Sequence, residues 1–130
     1  FVAIRMKVLV FVDGSEHAHR AFQHCVDSVL RDGDELYVMV VCELHPARYQ
    51  YEEVMNSKIR QRVTGVVRDY STLCDELPIM SKLSQPPHIF EEEIVADESV
   101  DEFLADELRN RGIDLALIGG THGPHELTIG

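Results

Sequence analysis

Four short apolar runs lie far apart along the chain, and the stretches between two of them carry apolar residues at helical spacing. The first run, Lys7 to Val12 (KVLVFV), has apolar neighbours at successive positions. Successive side chains of a strand point to opposite faces, so such a run predicts a strand buried on both faces. Leu36 to Cys42 (LYVMVVC) and Ile113 to Ile118 (IDLALI) read the same way, and His88 to Val95 reads as a strand with an acidic exposed part. Between the first two runs, Ala18, Ala21, Phe22, Cys25, Val26, Val29 and Leu30 mark one face of a helix that Gly33 stops. A longer helix is predicted from about Arg48 to Leu77. Its apolar face is Tyr51, Val54, Met55, Ile59, Val63, Val66, Val67, Tyr70, Leu73, Cys74 and Leu77. Pro78 to Pro87 is compatible with a short strand over Ile79 to Leu83 followed by loop. Ser99 and Glu102 form a capping box that opens a helix through Val100, Phe103, Leu104, Glu107 and Leu108, and Gly112 ends it.

The order β-α-β-α-β-α-β, with right-handed crossovers, predicts a doubly wound parallel sheet in a three-layer α/β/α domain. At 130 residues the chain fits one domain, read as residues 1–130. Met6 is the expected natural start, with Phe1 to Arg5 left ahead of it. No basic start and apolar run suggests an export signal, so the expected location is cytoplasmic. The formal charge of −11 argues against nucleic acid and against an anionic membrane as partners. It argues less against a small phosphate ligand, which backbone N–H groups and a metal ion bind locally. Cys25, Cys42 and Cys74 are odd in number, show no C-x-x-C spacing and fall in apolar patterns, so buried thiols are expected.

In open α/β sheets ligands bind beyond the carboxyl ends of the strands, where the winding reverses. Two loops there have suitable chemistry. Asp13-Gly14-Ser15 follows the first strand, and Gly119-Gly120-Thr121-His122-Gly123 follows the last. Glycines let backbone N–H groups approach phosphate oxygens. Asp13 suits a ribose hydroxyl or a metal ion, and Ser15 suits a helix cap or a ligand contact. Taken singly, each loop is equally well a plain turn and cap.

Together these residues resemble the universal stress proteins. The first strand ending in Asp13-Gly14-Ser15, with Ala21 on the next helix, is similar to the opening of that family. Asp114-Leu115 leading to Ile118-x-Gly120-Thr121-His122-Gly123 is similar to its later signature. The resemblance spans about Lys7 to Gly123. It implies strand order 3-2-1-4(-5), a stress-response role, and ATP binding in some members; the expected cofactor is ATP, with Mg²⁺ as a companion that Asp13 could hold. It also implies weak or absent ATPase activity and a homodimer. On this pattern Asp13 and Gly14-Ser15 lie in the nucleotide pocket, and the Val41 backbone reads adenine. Gly120, Thr121, His122 and Gly123 wrap the phosphates, and Gly130 stands near a third glycine. Six residues separate Gly123 from Gly130, fewer than in the family pattern, and no Ser/Thr follows. The last helix and fifth strand are therefore expected to be missing from a truncated chain.

The expected function is a non-catalytic, ATP-binding module acting through nucleotide-dependent conformation or dimerisation. Two readings stay open beside it: a relative without nucleotide that serves as a dimeric scaffold, and a weak ATP hydrolase or nucleotidyl or phosphoryl transferase. No catalytic residue is named. Ser15 with His17 or His19 lacks a supporting acid, and His122, His125 and Glu126 read as exposed loop residues rather than a metal site.

Overall fold

A computed structural model describes residues 5–95, 100–120 and 123–128. Strand β1 (Lys7–Val12) leads into helix α1 (Glu16–His24), which widens into a π-helical turn over Cys25–Val29. There Leu30 N–H reaches back five residues to the Cys25 carbonyl at 2.9 Å, so Cys25 and Leu30 both stay in the core. Strand β2 (Glu35–Leu44), helix α2 (Gln50–Glu76), strand β3 (His88–Val95), helix α3 (Val100–Asn110) and strand β4 (Leu115–Gly120) follow. The capping-box residue Ser99 lies outside the described residues.

The parallel strands stand in the order 3-2-1-4, as the family resemblance implies. The alternation of β1 divides the core. Val8, Val10 and Val12 face α1 and α2, together with Ala21, Phe22 and Val63. Leu9 and Phe11 face the other way, with Met39, Ala116 and the α3 side residues Leu108 and Ile113. Two carboxylates, buried Asp34 and half-buried Asp114, tie the amino-terminal edge of the sheet. Asp34, 2% exposed, accepts from Met6 N–H and Arg31 N–H, each at 3.0 Å. Asp114 accepts from Lys7 N–H at 2.8 Å, while its own N–H donates to the Lys7 carbonyl. These bonds set the registers Lys7↔Glu35 and Val8↔Leu115.

Three expectations change. Pro78–Lys82 is a 3₁₀ helix, not a strand, because Pro78 starts the turn without an N–H and Ser81 Oγ–H closes it on the Pro78 carbonyl at 2.8 Å. Tyr51, Val54 and Met55, read as core, are exposed, because the sheet side of α2 there is taken by Glu52 and Asn56. The sheet also does not end at four strands: Gly123–Thr128 folds back antiparallel on β4 as β5, with Gly120 opposite Gly123 and Leu115 opposite Thr128. Among the described residues no helix is long and apolar enough to cross a membrane.

Candidate functional site

The strands on either side of β1 run on past the ladders that hold it in the middle of the sheet. On one side the β1–β4 register runs only from Val8↔Leu115 to Val10↔Leu117, although β4 continues to Gly120. On the other it stops at Val12↔Val40, although β2 continues to Leu44. Helices α1 and α3 lie on opposite faces, so the chain leaves β1 and enters β4 from opposite sides and the strands part. A crevice opens there, about 210 Å³ in volume. Its walls are Phe11, Val12, Val41, Leu104, Ile118 and Gly119, with Ala18 behind and Asp13 and Glu43 at the rim.

The turn after β1 is fully determined by local hydrogen bonds. Asp13 Oδ1 accepts from Ser15 N–H at 2.8 Å, and Gly14 takes φ 87°, a region that disfavours any side chain. Ser15 is the N-cap of α1, its Oγ accepting from Ala18 N–H at 3.2 Å. The capped end of α1 sits directly on β4. A Cβ on Gly119 would lie 2.5 Å from the His17 carbonyl oxygen and 2.7 Å from Ala18 Cα. Gly119 is what lets the helix approach the strand this closely.

The residues singled out in the sequence do not all meet. Asp13 and Val41 line the crevice. Gly14 and Ser15 instead line a second hollow of about 230 Å³ between α1 and α2, with His19, Val66, Asp69, Tyr70 and Leu73. At its base His19 Nδ1 and Tyr70 Oη are 2.9 Å apart, and burial, then Asp13, pushes the Tyr70 hydroxyl up to about 12. Gly120 and Gly123, which the family resemblance assigns to the phosphates, are partners in the β4–β5 ladder. Thr121, His122 and Gly130 lie outside the described residues.

Sequence reasoning missed Phe11, Leu104, Ile118 and Glu43. The first three are apolar residues of strands and a helix, and periodicity shows that they turn inward without showing where the sheet splits. Glu43 carries a visible signal: a polar residue at the end of a buried strand.

The chemistry of the crevice is that of a planar apolar group held near hydroxyls. Its walls are mainly apolar, and its rim has two exposed carboxylates and no Lys or Arg. That fits an adenine ring and a ribose. It does not fit a bare polyphosphate, which two carboxylates repel unless a divalent cation stands between them. The volume is below the roughly 300–1,000 Å³ of usual ligand pockets, so a whole nucleotide would extend into solvent. Beside Val41, the Cys42 thiol is pushed up by burial and then by Glu93 and Glu91, which keeps it neutral and poor as a nucleophile.

The chain matches the model of the Universal stress protein family over residues 5–129. Among solved structures it is similar to the universal stress protein UspA from Lactobacillus plantarum. The two share 18% identity with a TM-score of 0.70, over 99% of this chain and 88% of that one. A universal stress protein family member from Burkholderia pseudomallei gives 19% identity and a TM-score of 0.63, over 90% and 83% of the two chains. The hypothetical protein MJ0577, whose structure served as a test case for assigning biochemical function, gives 16% identity and 0.66, over 93% and 78%. No curated protein matches the chain.

Proposed function

The chain belongs to the universal stress protein family, and from that premise we propose that it is a non-catalytic stress-response module that binds an adenine nucleotide with Mg²⁺. The observation that carries this reading is the early end of the β1–β4 ladder, together with the run of β2 past the end of β1, which leaves an apolar crevice between Val41, Phe11 and Ile118 with Asp13 at its rim. The adenine ring packs between these walls, beside the part of β2 that has no β1 partner in the register. Asp13 Oδ1 serves the turn, and the carboxylate keeps further lone pairs for ribose hydroxyls or the cation. The magnesium ion offsets the repulsion of Asp13 and Glu43 for phosphate. Nucleotide occupancy then bears on α1 and on the β4–β5 hairpin, and through them on conformation or homodimerisation.

Isothermal titration of Mg·ATP tests this, with Val41→Trp filling the crevice and Asp13→Asn removing the charge while keeping an oxygen for Ser15 N–H. Micromolar binding that Val41→Trp abolishes without a change in melting temperature supports the proposal. No heat up to about 1 mM ATP refutes it. A second reading, a scaffold that dimerises without nucleotide, draws on the acidic rim and its lack of a cation. A dimer in sedimentation that ignores Mg·ATP favours that scaffold.

A further inference from the structure

The first turns of α2 are inside out. On the side toward the sheet stand Glu52 and Asn56, 9% and 4% exposed. Both are satisfied by the loop after β2. Asn56 Oδ1 accepts from His45 N–H at 2.8 Å, its Nδ2 donates to the His45 carbonyl at 3.0 Å, and Glu52 Oε1 accepts from Arg48 N–H at 3.1 Å. On the opposite side Tyr51, Val54 and Met55 are 63%, 53% and 42% exposed, and Tyr49 stacks on Tyr51 with ring centroids 5.7 Å apart. Exposed apolar residues scattered singly need no explanation, but a contiguous group beside a buried polar face does.

The spacing continues this stripe into Lys58 and Arg62, seven and eleven residues after Tyr51 and on the same helical face. Both are exposed, and neither joins an ion pair among the described residues. The charge is local. Residues 48–68 hold five Lys/Arg against two Glu, while the rest of the chain holds seven against 21 Asp/Glu. An apolar stripe running into cations thus stands out from an otherwise acidic protein.

We propose that this face of α2 is a docking surface for an acidic amphipathic helix of a partner protein. Apolar side chains of the partner cover Tyr51, Val54 and Met55, and its carboxylates meet Lys58 and Arg62. The area favours one helix over a second copy. At about 200 Å² for a fully exposed large side chain, the four exposed apolar residues offer roughly 400 Å², half of the ~800 Å² per partner that stable complexes bury. The charge of −11 opposes an anionic bilayer.

The probe is a fluorescent helical peptide about four turns long, with Leu on one face and Glu on the other, titrated with the full chain and read by polarisation. Binding is expected to weaken on the order of tenfold or more in Tyr51→Ser/Met55→Ser and in Lys58→Glu/Arg62→Glu. It should also weaken as salt rises, with melting temperatures unchanged because these side chains are exposed. Equal binding of a Leu/Lys peptide overturns the proposal, as does indifference to both double substitutions. A dimer that the Tyr51→Ser/Met55→Ser pair dissolves replaces it with self-association. Binding to phosphatidylserine vesicles that Lys58→Glu/Arg62→Glu abolishes replaces it with a lipid surface.

Discussion

Replacing Gly119 by alanine should destabilise this domain by driving a methyl group of β4 into the first turn of α1. The added Cβ would meet backbone atoms of α1 at 2.5, 2.6 and 2.7 Å, in the His17 carbonyl and at Ala18 Cα. Comfortable carbon contacts begin near 3.5 Å, so the first turn of α1 must retreat by about 1 Å. No flexible side chain can absorb this. The helix is fixed by the Ser15 cap and by Ala18, Ala21 and Phe22, which are 5%, 0% and 1% exposed. Overpacking of this kind costs about 1–3 kcal/mol, and rigid backbone on the receiving side puts Gly119→Ala near the upper end. With an unfolding entropy near 2.1 cal/mol/K per residue, 130 residues give about 0.27 kcal/mol/K, so ~3 kcal/mol lowers the melting temperature by roughly 11 °C. Gly65→Ala is the matched control. Gly65 sits inside α2 with nothing within 4 Å of its added Cβ, so alanine should stabilise by up to about 1 kcal/mol, or some 4 °C. Far-UV circular dichroism melts of the three proteins decide the matter. A Gly119→Ala melt within about 2 °C of the parent would refute the close-packing argument.

Asp34→Ala removes the acceptor of two N–H groups from a site that is 2% exposed and should cost on the order of 3 kcal/mol in urea unfolding, with the m-value unchanged; a loss well under 1 kcal/mol would mean that water replaces the carboxylate. Tyr70 is held protonated to about 12 in the fold, against 10.0 for the free group, chiefly by burial. The unfolded chain therefore releases this proton first, so stability falls as pH rises from about 10 to about 12, and Tyr70→Phe should flatten that limb of the stability–pH curve. Cys74, pushed up to about 11 by burial and then by Asp75, should react with a thiol reagent at neutral pH only at the rate of global or local opening, which added urea accelerates.

Much of this molecule was legible in its sequence because the controlling interactions are local or periodic. Strand β3 is His88–Val95 in both the pattern and the structure, since a Glu91-Glu92-Glu93 run set between apolar pairs reports a strand with an acidic exposed part, and β3 stands at the edge of the sheet. The Asp13-Gly14-Ser15 turn was equally legible, because an Asx bond, a positive φ and an N-cap each depend on residues at most three apart. The class of sheet followed from strands too apolar for a wet face, separated by helices.

What the tertiary structure decided are the relations that no window of sequence contains. The apolar face assigned to α2 was right from Ile59 onward and wrong over Tyr51 to Met55. Periodicity identifies a stripe, but which stripe meets the sheet depended on Asn56 and Glu52 finding the loop after β2. The last residues described became a fifth strand because β4 is the edge of the parallel set and offers unpaired backbone groups to whatever chain follows it. Most of all, the crevice exists because two ladders end at Leu117 and Val40 while β4 and β2 run on. The sequence determined which residues form strands and turns through local sterics and periodic burial. Only the folded chain determined where those strands part, because register belongs to pairs of segments far apart along the chain.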